Sequence, residues 1–416
     1  MTAGPTLLLS DIFPPKTGGS GRWFWEIYRR LPRAEYLVAA GDHPDAGAFD
    51  AGHDLRVTRL PLEMRNRGVR SFGSLKHYLR TARSVRRLAR QEGVRMIHAA
   101  RPLSEGLVAR MVKMRTGIPY CCYTHGEDIN VATTSRELAW LTRRVLRGAT
   151  AVVANSGFTR DLLLNDWAVP PERVRLLHPG VDCDYFRPAA PDADVRRRLG
   201  WDGRRVILTV GRLQRRKGHD VMIEAVARLR DRFPDLLYAI IGDGEERARL
   251  AEMVTRLGVA SQVQFLGEVK DTELLHCYQQ CDLFALPNRA VGKDVEGFGM
   301  VLLEAQACGR PVLAGASGGT AETMKRGETG MLVACDRADE PAAALAGLLA
   351  DPERLTRMGR AGREWVEGKF NWPTLAAEAQ RTFAALAGRT LSLTSPLEGE
   401  VGGASPPGGG EATRPE

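Results

Sequence analysis

The stretch Val206-Ile-Leu-Thr-Val-Gly211-Arg-Leu-Gln-Arg-Arg-Lys217-Gly218 decides the fold. An apolar, β-branched run breaks at a glycine. A helix then follows with Met222, Ala225, Val226 and Leu229 at the i, i+3, i+4, i+7 spacing. The same unit opens the chain. The apolar run 6–10 leads through Asp11-Ile-Phe-Pro-Pro-Lys-Thr-Gly-Gly-Ser-Gly21 into a helix carrying Phe24, Ile27, Tyr28 and Leu31 on one side. Further strands are predicted at 36–40, 95–99, 120–124 and 151–155, and in the second half at 237–241, 262–266, 283–286 and 312–314. Strands alternating with helices make an α/β chain with doubly wound, Rossmann-like parallel sheets. A chain of 416 residues is too long for one ordinary core. It therefore divides into two similar domains, 1–178 and 192–367, joined by the Pro-, Asp- and Ala-rich linker 179–191. Ligands of such sheets sit beyond the carboxyl ends of the strands, so a cleft between the two domains is the expected site.

Composition is ordinary for a globular chain, with 44% hydrophobic and 26% charged residues. No run of about 18 apolar residues is present to span a bilayer. The first ten residues have no basic segment ahead of their apolar run, which reads as a strand and not a signal peptide. Cys121, Cys122, Cys183, Cys277, Cys281, Cys308 and Cys335 form no Cys-x-x-Cys pair and have no His at zinc-finger spacing. Cys277 and Cys281 are four apart on a helix, but further ligands are missing, so no metal is expected and reduced, structural thiols are. The net charge of +9 is local: from Arg56 to Arg90 eleven Lys or Arg face one acid, Glu63. The segment 390–416, rich in Ser, Pro, Gly and Glu, is expected to be a disordered tail.

The richest motif is Asp294-Val-Glu-Gly-Phe-Gly-Met-Val-Leu-Leu-Glu304-Ala-Gln-Ala-Cys-Gly-Arg-Pro311. Gly297 and Gly299 stand at a helix start, where free N–H groups and the helix dipole favour a phosphate. Glu304 lies up to two turns beyond Glu296, roughly 12 Å at about 1.5 Å per residue. The two carboxylates are thus spaced to hold hydroxyls at opposite ends of an extended ligand with a diphosphate between them. The same spacing also fits a buried helix whose polar residues only cap and solvate it.

This glutamate–seven–glutamate spacing around Gly-Phe-Gly resembles the retaining GT-B glycosyltransferases of family 4, the group 1 glycosyltransferases. Gly211-Arg-Leu with Lys217-Gly, Ile241-Gly-Asp-Gly-Glu, Phe265-Leu-Gly-Glu-Val, Ser317-Gly-Gly-Thr-Ala-Glu322, Asn155-Ser-Gly-Phe-Thr and Pro179-Gly-Val-Asp resemble further family motifs, in order, over about residues 5 to 389. The resemblance implies an acceptor-binding first domain, a nucleotide-sugar-binding second domain, and a C-terminal helix, 368–389, crossing back to the first. It implies that Arg212 and Lys217 neutralise the diphosphate, whose charge grows as the sugar–phosphate bond breaks. Glu296 would meet the sugar hydroxyls, Glu304 the ribose, Val269 the base, and the amides of Phe298 and Gly299 the sugar or phosphate. Gly18 and Gly19 match the loop that closes on the diphosphate, and His125 the histidine at the acceptor side. Glu127 and Asp128 beside it are weaker candidates for acceptor-hydroxyl contacts.

No Asp-x-Asp motif stands at a nucleotide site, so protein cations are expected to do the electrostatic work of a metal. The resemblance implies retention by front-face attack of the acceptor hydroxyl. It is closest to the GDP-mannose-dependent phosphatidylinositol mannosyltransferase branch. GDP-mannose is therefore the expected donor, with a UDP-hexose second. The acceptor is expected to be lipid-linked or a polysaccharide of the bacterial cell envelope, as in lipopolysaccharide or exopolysaccharide synthesis. One point departs from that branch: His125-Gly-Glu stands where Gly-His-Glu is often found.

The basic stretch 56–90 contains a predicted helix, 73–90, with Leu75, Tyr78, Leu79, Ala82, Val85 and Leu88 inward and Lys76, Arg80, Arg83, Arg86, Arg87 and Arg90 outside. It reads as a dock for an anionic membrane surface, or as a solvated basic face. Docking gives a peripheral enzyme on the cytoplasmic side of the inner membrane. A pI near 9.4 also admits a nucleic-acid binder. The patch lacks interleaved aromatics beyond Phe72 and Tyr78, so no nucleic acid is expected. A catalytically dead scaffold is disfavoured by intact Arg212, Lys217, Glu296 and Glu304.

Overall fold

Parallel strands covered by helices on both faces must be apolar along their whole length, and the central strands of this protein are. The computed structural model describes residues 4–64 and 68–394. The first sheet contains β1 (Thr6–Ser10), β2 (Tyr36–Gly41), β3 (Val57–Leu60), β4 (Met96–Ala99), β5 (Tyr120–Thr124), β6 (Ala151–Ala154) and β7 (Val174–Leu176). The second contains β8 (Arg205–Val210), β9 (Leu236–Ile241), β10 (Val263–Gly267), β11 (Leu283–Leu286), β12 (Val312–Gly315) and β13 (Gly330–Val333). Their orders are β3-β2-β1-β4-β5-β6-β7 and β10-β9-β8-β11-β12-β13, with parallel pairing throughout. In each sheet the chain leaves the first strand, winds one way, then returns to pair on its other side. The crevices lie between β1 and β4 and between β8 and β11, where doubly wound sheets take ligands.

Nine of the strands predicted from sequence, with β1, lie within a residue or two of their observed bounds. The three not predicted, β3, β7 and β13, are all sheet edges. Their residues are mostly half-buried. A strand with one neighbour needs no unbroken apolar run, so Val-Thr-Arg-Leu and Val-Arg-Leu give little signal.

Several contacts tie the two halves. Glu322, after β12, accepts from the amides of Gly157 (2.7 Å) and Phe158 (3.1 Å) at the start of the first-half helix Gly157–Asn165. The same carboxylate meets His178 Nε2 at 3.0 Å. Burial raises the Glu322 carboxyl, but His178 and the two amides outweigh it and hold it below the usual range. In the linker, Val181 donates to the Phe370 carbonyl at 2.9 Å. The final helix, Trp372–Thr394, then buries Trp372, Leu375, Ala379 and Phe383 in the core of the first half. The Phe383 ring lies 4.6 Å from His98. This helix starts later than the expected residue 368 because Pro352–Lys369 is a separate helix. It also continues to Thr394, into the segment expected to be disordered; the rest of that tail lies outside the described residues.

The basic helix spans Phe72–Gln91 and is capped by Ser71, whose side chain accepts from Ser74 N at 3.1 Å. Its inward stripe is Tyr78, Thr81, Val85 and Ala89. The expected stripe was rotated: Leu75 and Leu79 are 42% and 38% exposed, beside Phe72 at 81%. Thr81 and Ala89, small and uninformative in hydropathy, take the buried positions because the helix packs closely against Leu107–Thr116. Arg59 pairs with Asp50 at 2.6 Å, and Arg56 with Glu92. Lys76, Arg80, Arg83, Arg86, Arg87 and Arg90 have no acidic partner among the described residues. Arg65 and Arg67 lie outside them. Among the described residues no helix is long and apolar enough to cross a membrane.

Candidate active site

The segment after β1 is pinned before it reaches the glycines. Asp11 takes Lys16 at 2.9 Å and faces Arg101, beyond β4, at 3.5 Å. Buried Glu105 accepts from the Asp11 amide at 3.0 Å and from Arg101 at 3.0 Å. Gly18 has φ of +145°, a conformation that side chains disfavour, and leads directly into the helix Gly19–Tyr28.

His125 follows β5. Its Nε2 donates to the Ala100 carbonyl at 2.9 Å, because a carbonyl can only accept. Its Nδ1 is then the acceptor for Ser20 Oγ at 3.1 Å. Trp23 and Phe24 meet the ring edge-on at 5.6 and 5.8 Å. Both ring nitrogens are committed, and one of them holds the glycine loop. The His125 carbonyl touches the second half: a Cβ on Gly297 would lie 2.1 Å from it. Only glycine lets the two backbones approach so closely.

Beyond β8, two cations share one carboxylate. Lys217 Nζ and Arg216 Nη1 both donate to Glu296 Oε2 at 2.6 Å. Arg216 also faces Asp294 at 3.1 Å and, across the cleft, Glu127 at 3.4 Å. Its 7% side-chain exposure makes it the most buried cation of the site. Burial raises the Glu296 carboxyl, but Lys217 and Arg216 outweigh it and hold it at about 2. Burial likewise raises Asp294, and there Arg216 offsets it only in part. Arg212 differs: it is exposed and has no acidic partner among the described residues.

One cavity of about 330 Å³ is lined by Gly18, Gly19, His125, Arg212, Arg216, Lys217, Glu296, Phe298 and Gly299, among others. Eight of the residues predicted from sequence therefore meet in one place. The Phe298 ring is buried against His178 and Phe370, at 5.5 and 5.9 Å, so it presents backbone to the cavity. Gly299 caps the helix Met300–Ala307. Val269 and Glu304 do not line this cavity. Val269 is half-buried against the second core, and Glu304 is buried on the same helix, further from its start. Arg216 was not predicted. The run Arg215-Arg216-Lys217 offers three cations, and the turn that selects which points inward leaves no mark in the sequence.

The description Glycosyl transferases group 1 matches residues 192–365, and Glycosyltransferase Family 4 matches residues 17–185. A GDP-mannose-dependent alpha-(1-6)-phosphatidylinositol monomannoside mannosyltransferase of Mycobacterium tuberculosis is 34% identical over 89% of this chain and 96% of its own length. The chain is a family 4 glycosyltransferase. A monoacylated-acceptor counterpart from Corynebacterium glutamicum is 30% identical over 88% of this chain and 94% of its own. Anabaena HepE, solved with UDP, superposes with a TM-score of 0.77 at 21% identity, covering 92% of this chain and all of its own. That likeness gives the glycosyltransferase the GT-B fold, two Rossmann-like sheets facing across a cleft. Group 1 glycosyltransferases use nucleotide-sugar donors, and this cavity brings cations from one half against a glycine loop from the other.

Proposed function

We propose that this glycosyltransferase moves mannose from GDP-mannose to a hydroxyl of a lipid-linked or polysaccharide acceptor, with retention and without a metal. The observation that carries the reading is the cavity joining Gly18–Gly19 to Arg212, Arg216, Lys217 and Glu296. The mannosyltransferase relatives, aligned over nearly the whole chain, support the choice of donor.

In this reading Arg212 is the first contact of the diphosphate, since no acid among the described residues competes for it. Lys217 and Arg216 keep unused N–H donors beyond their bonds to Glu296 and face the bridging and terminal phosphate oxygens. Glu296, held ionised by two cations, is a poor nucleophile and instead orients sugar hydroxyls. The acceptor oxygen forms its bond to the anomeric carbon on the face from which the phosphate oxygen leaves. The departing phosphate takes the acceptor's proton, and the cations stabilise the charge developing on it. His125, tied through both nitrogens, positions the Gly18–Gly21 loop and does not carry the proton. Glu304 and Val269 hold the ribose and base beyond the cavity.

The acceptor reaches the first half from a membrane. Leu79 and Met114 stand beside Arg83, Arg86 and Arg115, which have no acidic partner among the described residues, and Phe72 and Leu75 are exposed on the same helix, a mixed apolar and basic surface suited to anionic headgroups on the cytoplasmic face. The test is the product formed by purified protein from GDP-mannose, GDP-glucose, UDP-glucose and UDP-galactose on lipid-linked acceptors. A mannosylated product with retained anomeric configuration, formed equally with EDTA, is expected. Transfer only from a UDP-sugar would overturn the donor, and loss with EDTA restored by Mg²⁺ or Mn²⁺ would overturn metal independence.

A further inference from the structure

The second glutamate of the motif is not loose. Tyr278, on the helix Asp271–Gln280, donates its hydroxyl to Glu304 Oε2 at 2.8 Å, and both side chains are buried. The ring is fixed by packing against Phe186 and Phe284, whose centroids lie 5.6 Å away. The other oxygen, Oε1, faces Arg22 of the first-half helix at 3.8 Å. Arg22 in turn lies over the Phe186 ring at 5.4 Å, one helical turn beyond the glycine loop. One carboxylate oxygen is therefore bound from inside the second half, and the other faces the cleft.

We propose that Tyr278 is a positioning residue for donor recognition: it anchors Oε2 of Glu304 so that Oε1 alone is presented to the ribose diol. This rests on the reading of Glu304 as the ribose contact. A carboxylate that rotates freely loses orientational freedom when it binds a diol; one already held by a buried donor has less to lose, and the nucleotide gains the difference. Burial, and then the Glu304 carboxylate, hold the Tyr278 hydroxyl well above its ordinary titration range, so it remains a donor at every working pH.

The experiment compares binding of GDP and of 2′,3′-dideoxy-GDP to the parent, Tyr278→Phe and Glu304→Ala. Tyr278→Phe is expected to weaken GDP about tenfold, equivalent to about 1.4 kcal/mol, and to leave the dideoxy nucleotide unchanged. KM for the donor should rise by a similar factor with kcat nearly constant. In a Glu304→Ala background the tyrosine substitution should add nothing. If the variant melts early, calorimetry in the cold repeats the comparison on folded protein. Equal losses for both nucleotides would mean that Tyr278 only packs the core, and no loss for either would also overturn the proposal. If instead Glu304→Ala weakens both nucleotides equally, the ribose reading itself fails, a result distinct from Glu304 mattering while Tyr278 does not.

Discussion

Between Arg212 and Lys217 the chain sets four cations in six residues; between Lys76 and Arg90 it sets six in fifteen. In the cleft, Arg216 and Lys217 are buried and share one oxygen of Glu296. On the helix Phe72–Gln91 the cations are mostly exposed, lack acidic partners among the described residues, and alternate with exposed Phe72, Leu75 and Leu79. In the proposed reading, similar residue types serve two kinds of anion. Buried, paired cations have fixed directions in a low dielectric, so they recognise one geometry and act strongly on a charge that changes during reaction. Exposed cations are screened beyond about 8 Å at physiological salt and act by number, which suits a surface and not a single molecule.

The largest separation of the two regions is expected at a membrane. Replacing Arg80, Arg83, Arg86, Arg87 and Arg90 with Gln removes about 1 kcal/mol per residue near an anionic surface. Partition into phosphatidylglycerol vesicles should fall about 4 × 10³-fold, with hydrolysis of the soluble donor nearly unchanged. Equal sedimentation of parent and variant would make the helix a solvated face. Next in size is Arg216→Ala, which strands Asp294 and leaves Glu296 with Lys217 as its cation. It should lower unfolding free energy by about 3 kcal/mol, read as a lower urea midpoint at constant m. Arg83→Ala should stay within about 0.5 kcal/mol. Arg212→Ala should then lower turnover about 10²-fold with an unchanged melting temperature, because its side chain is exposed and has no acidic partner among the described residues. Parent-like turnover would remove it from the site.

The Glu296 carboxylate also carries a pH dependence. Glu296 is held at about 2, below its ordinary 4.5, so its contribution to stability is present above about 4.5 and lost as pH falls toward 2. Glu296→Gln should lack that part of the acid slope, and urea midpoints of parent and variant should converge near the bottom of that range. A constant gap down to pH 2 would mean that the carboxylate is not paired in solution.

Most of the cleft was legible because its chemistry is written as glycines and charges at fixed offsets from apolar strands. Glu296, Arg212 and Lys217 stand just beyond strands or at a helix start, where the local pattern locates them. Arg216, Tyr278 and Arg22 were not legible for one shared reason: each acts through a partner distant in sequence, respectively Glu127, Glu304 and again Glu304. The basic helix shows a different limit. Its period was clear, but Leu and Thr, or Leu and Ala, exchange places between surface and core when a close helix neighbour favours small residues, and hydropathy then points to the wrong stripe.

Hydrogen exchange of the whole chain, with GDP in one sample and anionic vesicles in another, tests the division between the two basic regions most directly. GDP should protect Gly18–Gly21, residues 211–218 and residues 296–304, and leave Phe72–Gln91 unchanged. Vesicles should protect Phe72–Gln91 and leave residues 211–218 unchanged. Protection of the basic helix by GDP, or of residues 211–218 by vesicles alone, would contradict the account.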